Sequence, residues 1–273
     1  MPTIDTPGHG QVSYATRGQG PAPLVLLHGW AGSGGYFSAF IDRLDPGLAT
    51  CLSVDLPGHG TSTAPAGPYT LDTIADAVTA VADAAGADTM TLLGFSMSAK
   101  FAQYITSRHP DRVTGQALVA GCPTGPLTLP PEIVQDWCAR AGNPQRLAEV
   151  ITSCATRPID RDILDSAGRA AAVVTKTVLH DTLDLVATAS FIPTAHAKQV
   201  PTLVVGGSAD WLFPPQVLEH GVADALTHAQ LEILDCGHEV PIEDPDALAH
   251  LVSRFLTEDR TDGVTPAAAA TPR

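Results

Sequence analysis

Ser96, Asp210 and His238 are the residues of this sequence whose types and spacing carry the most chemistry. Ser96 lies in Gly94-Phe95-Ser96-Met97-Ser98, after an apolar run and before a helical pattern. A sharp strand-to-helix turn exposes a serine hydroxyl at its tip and needs small flanking residues, because the backbone packs tightly on both sides. A serine hydroxyl becomes a useful nucleophile only when a base takes its proton. An imidazole is such a base, and a carboxylate fixes its tautomer. Asp210 follows another apolar run in Gly207-Ser208-Ala209-Asp210. His238 follows a third in Asp235-Cys236-Gly237-His238-Glu239. Taken alone, the Gly-Phe-Ser triplet fits a helix cap equally well, and a lone Asp or His fits a turn. All three together, each just past the carboxyl end of a predicted strand, point to nucleophilic catalysis. Asp235 is a competing acid, but it sits too close in sequence to orient His238 and reads as a turn residue.

Acyl transfer also needs two donors for the charge that grows on one oxygen. The backbone N–H of Met97, just after Ser96, is one. The N–H of Trp30 in His28-Gly29-Trp30 is the other, and Gly29 lets the backbone turn to expose it. The His28 side chain is expected to be hydrogen-bonded within its own loop.

These residues need a parallel sheet to bring them together. Strand patterns fall at 11–17, 23–28, 50–55, 89–93, 113–119, 202–206 and 229–234. The first alternates polar and apolar residues like an antiparallel edge strand. The run Leu24-Val25-Leu26-Leu27 suits a strand buried on both faces. Helical patterns fall at 34–44, 71–85, 98–108, 214–226 and 245–256. Between 123 and 197 only helical segments appear, at 131–141, 144–152, 160–177 and 180–190. The simplest account is an α/β core built from residues 1–122 and 198–258, interrupted by an all-helical cap at 123–197. Residues 259–273, polar and then Ala- and Pro-rich, read as a disordered tail.

Composition narrows the function classes. Lys and Arg number 15 against 29 Asp and Glu, a net charge of −14. That disfavours nucleic acid and anionic membrane surfaces as partners. No apolar run is long enough to span a bilayer. The opening MPTIDTPGHG lacks a basic start followed by an apolar stretch, so no signal peptide is expected and the expected compartment is the cytoplasm. Five scattered cysteines without a CxxC pair suggest reduced, buried thiols rather than a disulfide framework or a metal site.

The segments His28-Gly29-Trp30, Asp55-Leu56-Pro57-Gly58-His59-Gly60-Thr61-Ser62, Gly94-Phe95-Ser96-Met97-Ser98 and Gly237-His238 resemble the α/β-hydrolase superfamily. They look most like its small serine esterase, lactonase and haloperoxidase-like branch. The resemblance covers roughly residues 10–256, with a divergent middle, and the chain order Ser, Asp, His is the one this superfamily uses. It departs from the G-x-S-x-G pattern at Ser98. It implies a mostly parallel central sheet flanked by helices, an inserted helical cap, and an acyl-enzyme mechanism without metal or cofactor. Ser96 would be the nucleophile, His238 the base, Asp210 the orienting acid, and Trp30 and Met97 the oxyanion donors. The expected substrate is a small hydrophobic ester or lactone, touched by Gly29, Phe95, Trp137, Trp211 and Phe213. Serine in place of an aspartate nucleophile disfavours dehalogenase and epoxide hydrolase chemistry. The alternatives left open are a carbon–carbon bond hydrolase, a perhydrolase and a non-turnover lactone receptor. The oligomeric state stays open between monomer and homodimer.

Overall fold

Eight strands assemble into one sheet in the computed structural model, which describes residues 2–6, 10–65 and 67–258. They are β1 (Thr3–Thr6), β2 (Gly10–Arg17), β3 (Ala22–Leu27), β4 (Ala49–Asp55), β5 (Met90–Phe95), β6 (Val113–Val119), β7 (Thr202–Gly207) and β8 (Ala229–Leu234). Their spatial order is β1-β2-β4-β3-β5-β6-β7-β8. The β1–β2 and β2–β4 pairs are antiparallel and every other pair is parallel. The apolar runs lie at the centre: Leu24, Val25, Leu26 and Leu27 of β3 are fully buried, as a strand covered on both faces requires.

The strand predicted at 11–17 is antiparallel but is not the edge. β1 flanks it, a four-residue strand too short for its own alternation to be read, and held by pairing with β2. Two helical predictions also change. The 34–44 segment breaks into a 3-10 turn (Gly34–Phe37) and the single turn α1 (Ser38–Ile41), because Gly34 and Gly35 resist a regular helix. The 214–226 segment gives α8 (Pro215–Gly221), then a 3-10 turn after Gly221.

Helices cover both sheet faces. α2 (Leu71–Ala84) and α3 (Met97–Arg108) bury Ile74, Val78, Val81, Phe101 and Ile105 on one. α10 (Pro245–Thr257) joins Phe37 and Phe40 on the other, through Leu248, Val252 and Phe255. Among the described residues no helix is long and apolar enough to cross a membrane. Residues 259–273 lie outside the described residues.

Between β6 and β7 come α4 (Pro131–Ala139), α5 (Pro144–Cys154), α6 (Arg161–Ala172) and α7 (Lys176–Thr188). The helix predicted at 160–177 ends early because Thr175 starts a new one, its side chain accepting from the Val178 N–H at 3.3 Å. These four helices share a small apolar core of Cys138, Leu147, Val174, Leu179 and Leu183, which also takes in Ala31 from the loop after β3. Polar groups fasten them to the sheet domain. The buried Lys100 ammonium of α3 donates to the carbonyls of Gly125 (2.7 Å), Val186 (2.6 Å) and Ala189 (2.9 Å), meeting the last turn of α7 where carbonyls lack helical partners. The Trp30 indole donates to the Leu179 carbonyl at 2.8 Å.

Candidate active site

Ser96 stands in the turn between β5 and α3 with φ 54° and ψ −116°. A non-glycine residue reaches that region only when its surroundings hold it there, at about 1–3 kcal/mol. The holds are visible. The Ser96 N–H donates to the Val119 carbonyl at 2.8 Å, and the Ser96 carbonyl accepts from Cys122 N–H at 3.2 Å. Gly94 is obligatory here, since a Cβ at that position would sit 2.3 Å from the Ser98 carbonyl oxygen. Ser98, where glycine would complete the usual motif, is fully buried. Its hydroxyl donates to the His28 carbonyl, so the departure from the motif adds a tie between the serine turn and the loop after β3.

His238 and Asp210 arrive from the ends of β8 and β7. The Ser96 hydroxyl lies 2.9 Å from His238 Nε2. His238 Nδ1 lies 2.8 Å from Asp210 Oδ2. Nδ1–H donates to the carboxylate, which leaves Nε2 as the acceptor facing Ser96. Asp210 Oδ1 accepts from the N–H groups of Leu212 (2.8 Å) and Phe213 (3.0 Å), which fixes the carboxylate. Asp235 is exposed on the surface, as expected of a turn residue. Burial disfavours the imidazolium of His238. The hydrogen bond and charge of Asp210, with the charges of Glu239 and Glu243, outweigh it, so the pKa lies above the ordinary histidine value.

Of the two predicted donors, Met97 directly follows Ser96 in the chain, and Trp30 lines the same cavity as Ser96. Gly29 lies close against Ser96 and Phe95: a Cβ there would sit 3.3 Å from Ser96 Cβ and 3.0 Å from the Phe95 ring. Among the described residues neither the Trp30 nor the Met97 backbone N–H has a hydrogen-bond partner. Met97 is the first residue of α3, so its N–H lies at the positive end of the helix. The His28 ring is buried, with one of its two bonds inside its own loop as expected and the other to the segment after β4. Nε2 accepts from the Leu56 N–H at 3.1 Å and Nδ1–H donates to the Gly29 carbonyl at 2.8 Å. Burial holds its pKa down at about 4, so it stays neutral.

A cavity of about 320 Å³ opens at Ser96 and His238, walled by both the sheet domain and the inserted helices. Gly29, Trp30, Phe95 and Trp137 line it as expected, with Val150 and Ile151 of α5 and Ile163 of α6. The Trp30 and Trp137 rings stack, centroids 5.3 Å apart. Two of the expected contacts, Trp211 and Phe213, are not among the lining residues. Trp211 is half-exposed outside the lining, because its indole donates to the Ser153 carbonyl at 3.1 Å and so faces α5. Phe213 is buried beneath the site with its ring 5.7 Å from that of His238, a packing contact; Leu212 between them lines the cavity instead. The Met97 side chain likewise points into the core, leaving only its backbone at the site.

Comparison with known proteins follows the same lines. Residues 22–153 match the family model described as alpha/beta hydrolase fold. A pimeloyl–acyl-carrier-protein methyl ester esterase of Yersinia enterocolitica is 30% identical over 269 residues, spanning 92% of this chain and 99% of that protein. The chain belongs to the α/β-hydrolase family. The 3-oxoadipate enol-lactonase 2 of Acinetobacter baylyi is 25% identical over 90% of the chain and 92% of that enzyme. Among solved structures, the enol-lactonase from Burkholderia xenovorans LB400 superimposes with a TM-score of 0.80 at 24% identity, covering 94% of this chain and all of that one.

Two site residues of this α/β-hydrolase, Glu243 and Tyr36, escaped the sequence reading, while Glu239 reads from the sequence only as a loop or supporting group beside His238. Glu243 is buried and accepts from the backbone N–H groups of Thr156 and Arg157 (each 2.7 Å), Glu239 (2.9 Å) and Gly237 (3.0 Å). It thus binds the His238 loop to the end of α5. The only sequence signal was its position five residues after His238, on the short helix α9 (Val240–Glu243) that was not foreseen. Tyr36 lines the cavity, stacked on Phe95 with centroids 5.4 Å apart. Its hydroxyl donates to Glu239, which also lines the cavity. Burial pushes the Glu239 carboxyl up to about 7, against the pull of His238 and the Tyr36 bond.

Proposed function

We propose that this α/β-hydrolase cleaves a carboxylic ester or lactone of a small, largely apolar molecule through an acyl-enzyme on Ser96. The observation that carries the reading is the continuous Ser96–His238–Asp210 hydrogen-bond chain at the head of an apolar cavity. His238 Nε2 takes the Ser96 proton as Oγ attacks the carbonyl carbon. The oxygen of the tetrahedral intermediate takes its charge towards the Trp30 and Met97 N–H groups, which have no competing partner among the described residues. The imidazolium, stabilised by Asp210, returns the proton to the departing alkoxide. The alcohol leaves and the acyl group stays on Ser96. Water, deprotonated by the same Nε2, then adds to the acyl carbon. Collapse releases the carboxylic acid and restores the serine. In a lactone both products remain one molecule, a hydroxy acid.

The named relatives act on different molecules, a pimeloyl–acyl-carrier-protein methyl ester and an enol-lactone. The bond type is what we carry over, and segment 123–197 acts as the cap that decides the substrate. Chromogenic esters and lactones of graded size, assayed with wild type and Ser96→Ala, test the reading. Turnover is expected for apolar esters that fit the cavity, with a loss of at least about 10³-fold in the variant. Equal activity in Ser96→Ala would contradict it.

A further inference from the structure

The cavity wall carries two carboxylates, Glu239 and Asp162, and among the described residues lining it there is no Lys or Arg. Asp162 is exposed, in the first turn of α6. Glu239 is 6% exposed, directly after His238 in sequence. It is held firmly. Its backbone N–H donates to Glu243 Oε1 at 2.9 Å, and its Oε2 accepts from the Tyr36 hydroxyl. Its other oxygen, Oε1, has no hydrogen-bond partner among the described residues. Glu239 takes no part in the mechanism above.

We propose that Glu239 is a specificity-determining residue that anchors an ammonium group on the substrate, so that the cavity prefers amine-bearing esters to carboxylate-bearing ones. The inference rests on the ester-hydrolase reading and names its substrate class. A half-paired carboxylate in an apolar wall lacks much of its solvation. An ammonium donor restores it with a charge-assisted hydrogen bond. A carboxylate would instead meet two like charges, with the His238 imidazolium, present only when protonated, as the one offsetting cation among the described lining residues. The groups that bear on Glu239 are His238, Tyr36, Glu243, Asp210 and Cys154. Of these His238 alone is cationic when protonated, so the local field is otherwise acidic or neutral.

The test compares hexylammonium with hexanoate as cavity ligands, read by tryptophan fluorescence because Trp30 and Trp137 line the cavity. Hydrolysis of p-nitrophenyl hexanoate, a neutral ester, is measured alongside and tests the hydrolase reading by itself. In wild type at pH 8, hexylammonium is expected to bind about tenfold tighter than hexanoate or better. Glu239→Gln is expected to lose most of that ratio, Glu239→Asp to keep part of it, and the exposed Asp162→Asn to keep most of it. Hexanoate binding as tightly as hexylammonium in wild type, no hexylammonium binding, or an undiminished ratio in Glu239→Gln would each overturn the proposal. The wild-type comparison alone can overturn it, whatever the folding of the variants.

Discussion

His238 decides the pH dependence at the scale of single residues. The proposed reaction needs neutral Nε2, and the pKa of His238 is raised by its acidic neighbours against the effect of burial. Activity is therefore expected to fall as pH drops through that raised value. Glu239→Gln removes one negative neighbour, lowers the His238 pKa, and should move the acid limb of the kcat/KM profile to lower pH. An acid limb that stays in place would show that Glu239 does not act on His238. Ser98 gives a second residue-scale prediction. Ser98→Ala leaves the buried His28 carbonyl without the hydroxyl it now accepts from, and should cost about 1–3 kcal/mol in chemical denaturation. The sequence exposed the three residues of the proposed triad because each sits at a strand end in a glycine-bearing turn. Tyr36 was not legible, and Glu239 was legible only as a neighbour of His238, because what makes the pair notable is burial and mutual contact, and no local pattern encodes either.

The elements follow the same division. Strands β3 to β8 were readable because each is an apolar run or alternation bounded by turn residues, and their order in the chain already implied a parallel sheet. β1, α9 and the break between α6 and α7 were not, since a four-residue strand and a single helical turn depend on partners distant in sequence. The inserted helices were legible as helices. Their seating on the sheet domain was not, because it is made by Lys100, Trp30, Trp211 and Glu243, whose roles appear only in three dimensions. Lys100→Met tests this seating. It leaves the carbonyls of Gly125, Val186 and Ala189 without their shared donor and should cost about 2–4 kcal/mol. Limited proteolysis should then cut first within 123–197. Unchanged stability and an unchanged cleavage pattern would mean that the helices are held by apolar packing alone.

At the scale of the whole molecule, the fold joins a serine at position 96 to an acid and a base more than a hundred residues later, across the inserted helices. The net charge of −14 acts at this scale too. It should draw cationic esters towards the cavity, so their kcat/KM should fall with rising ionic strength while that of matched neutral esters changes little. Parallel salt dependence for both would remove the charge argument. The central claim is narrower than substrate choice: this architecture exists to make Ser96 a nucleophile. A serine-directed fluorophosphonate forms a stable phosphonyl ester with an activated hydroxyl, and peptide mass mapping locates it. The expected result is a single adduct on the peptide containing Ser96, absent in Ser96→Ala and strongly slowed in His238→Ala. An adduct on another residue, or labelling of Ser96 at the same rate without His238, would contradict the account.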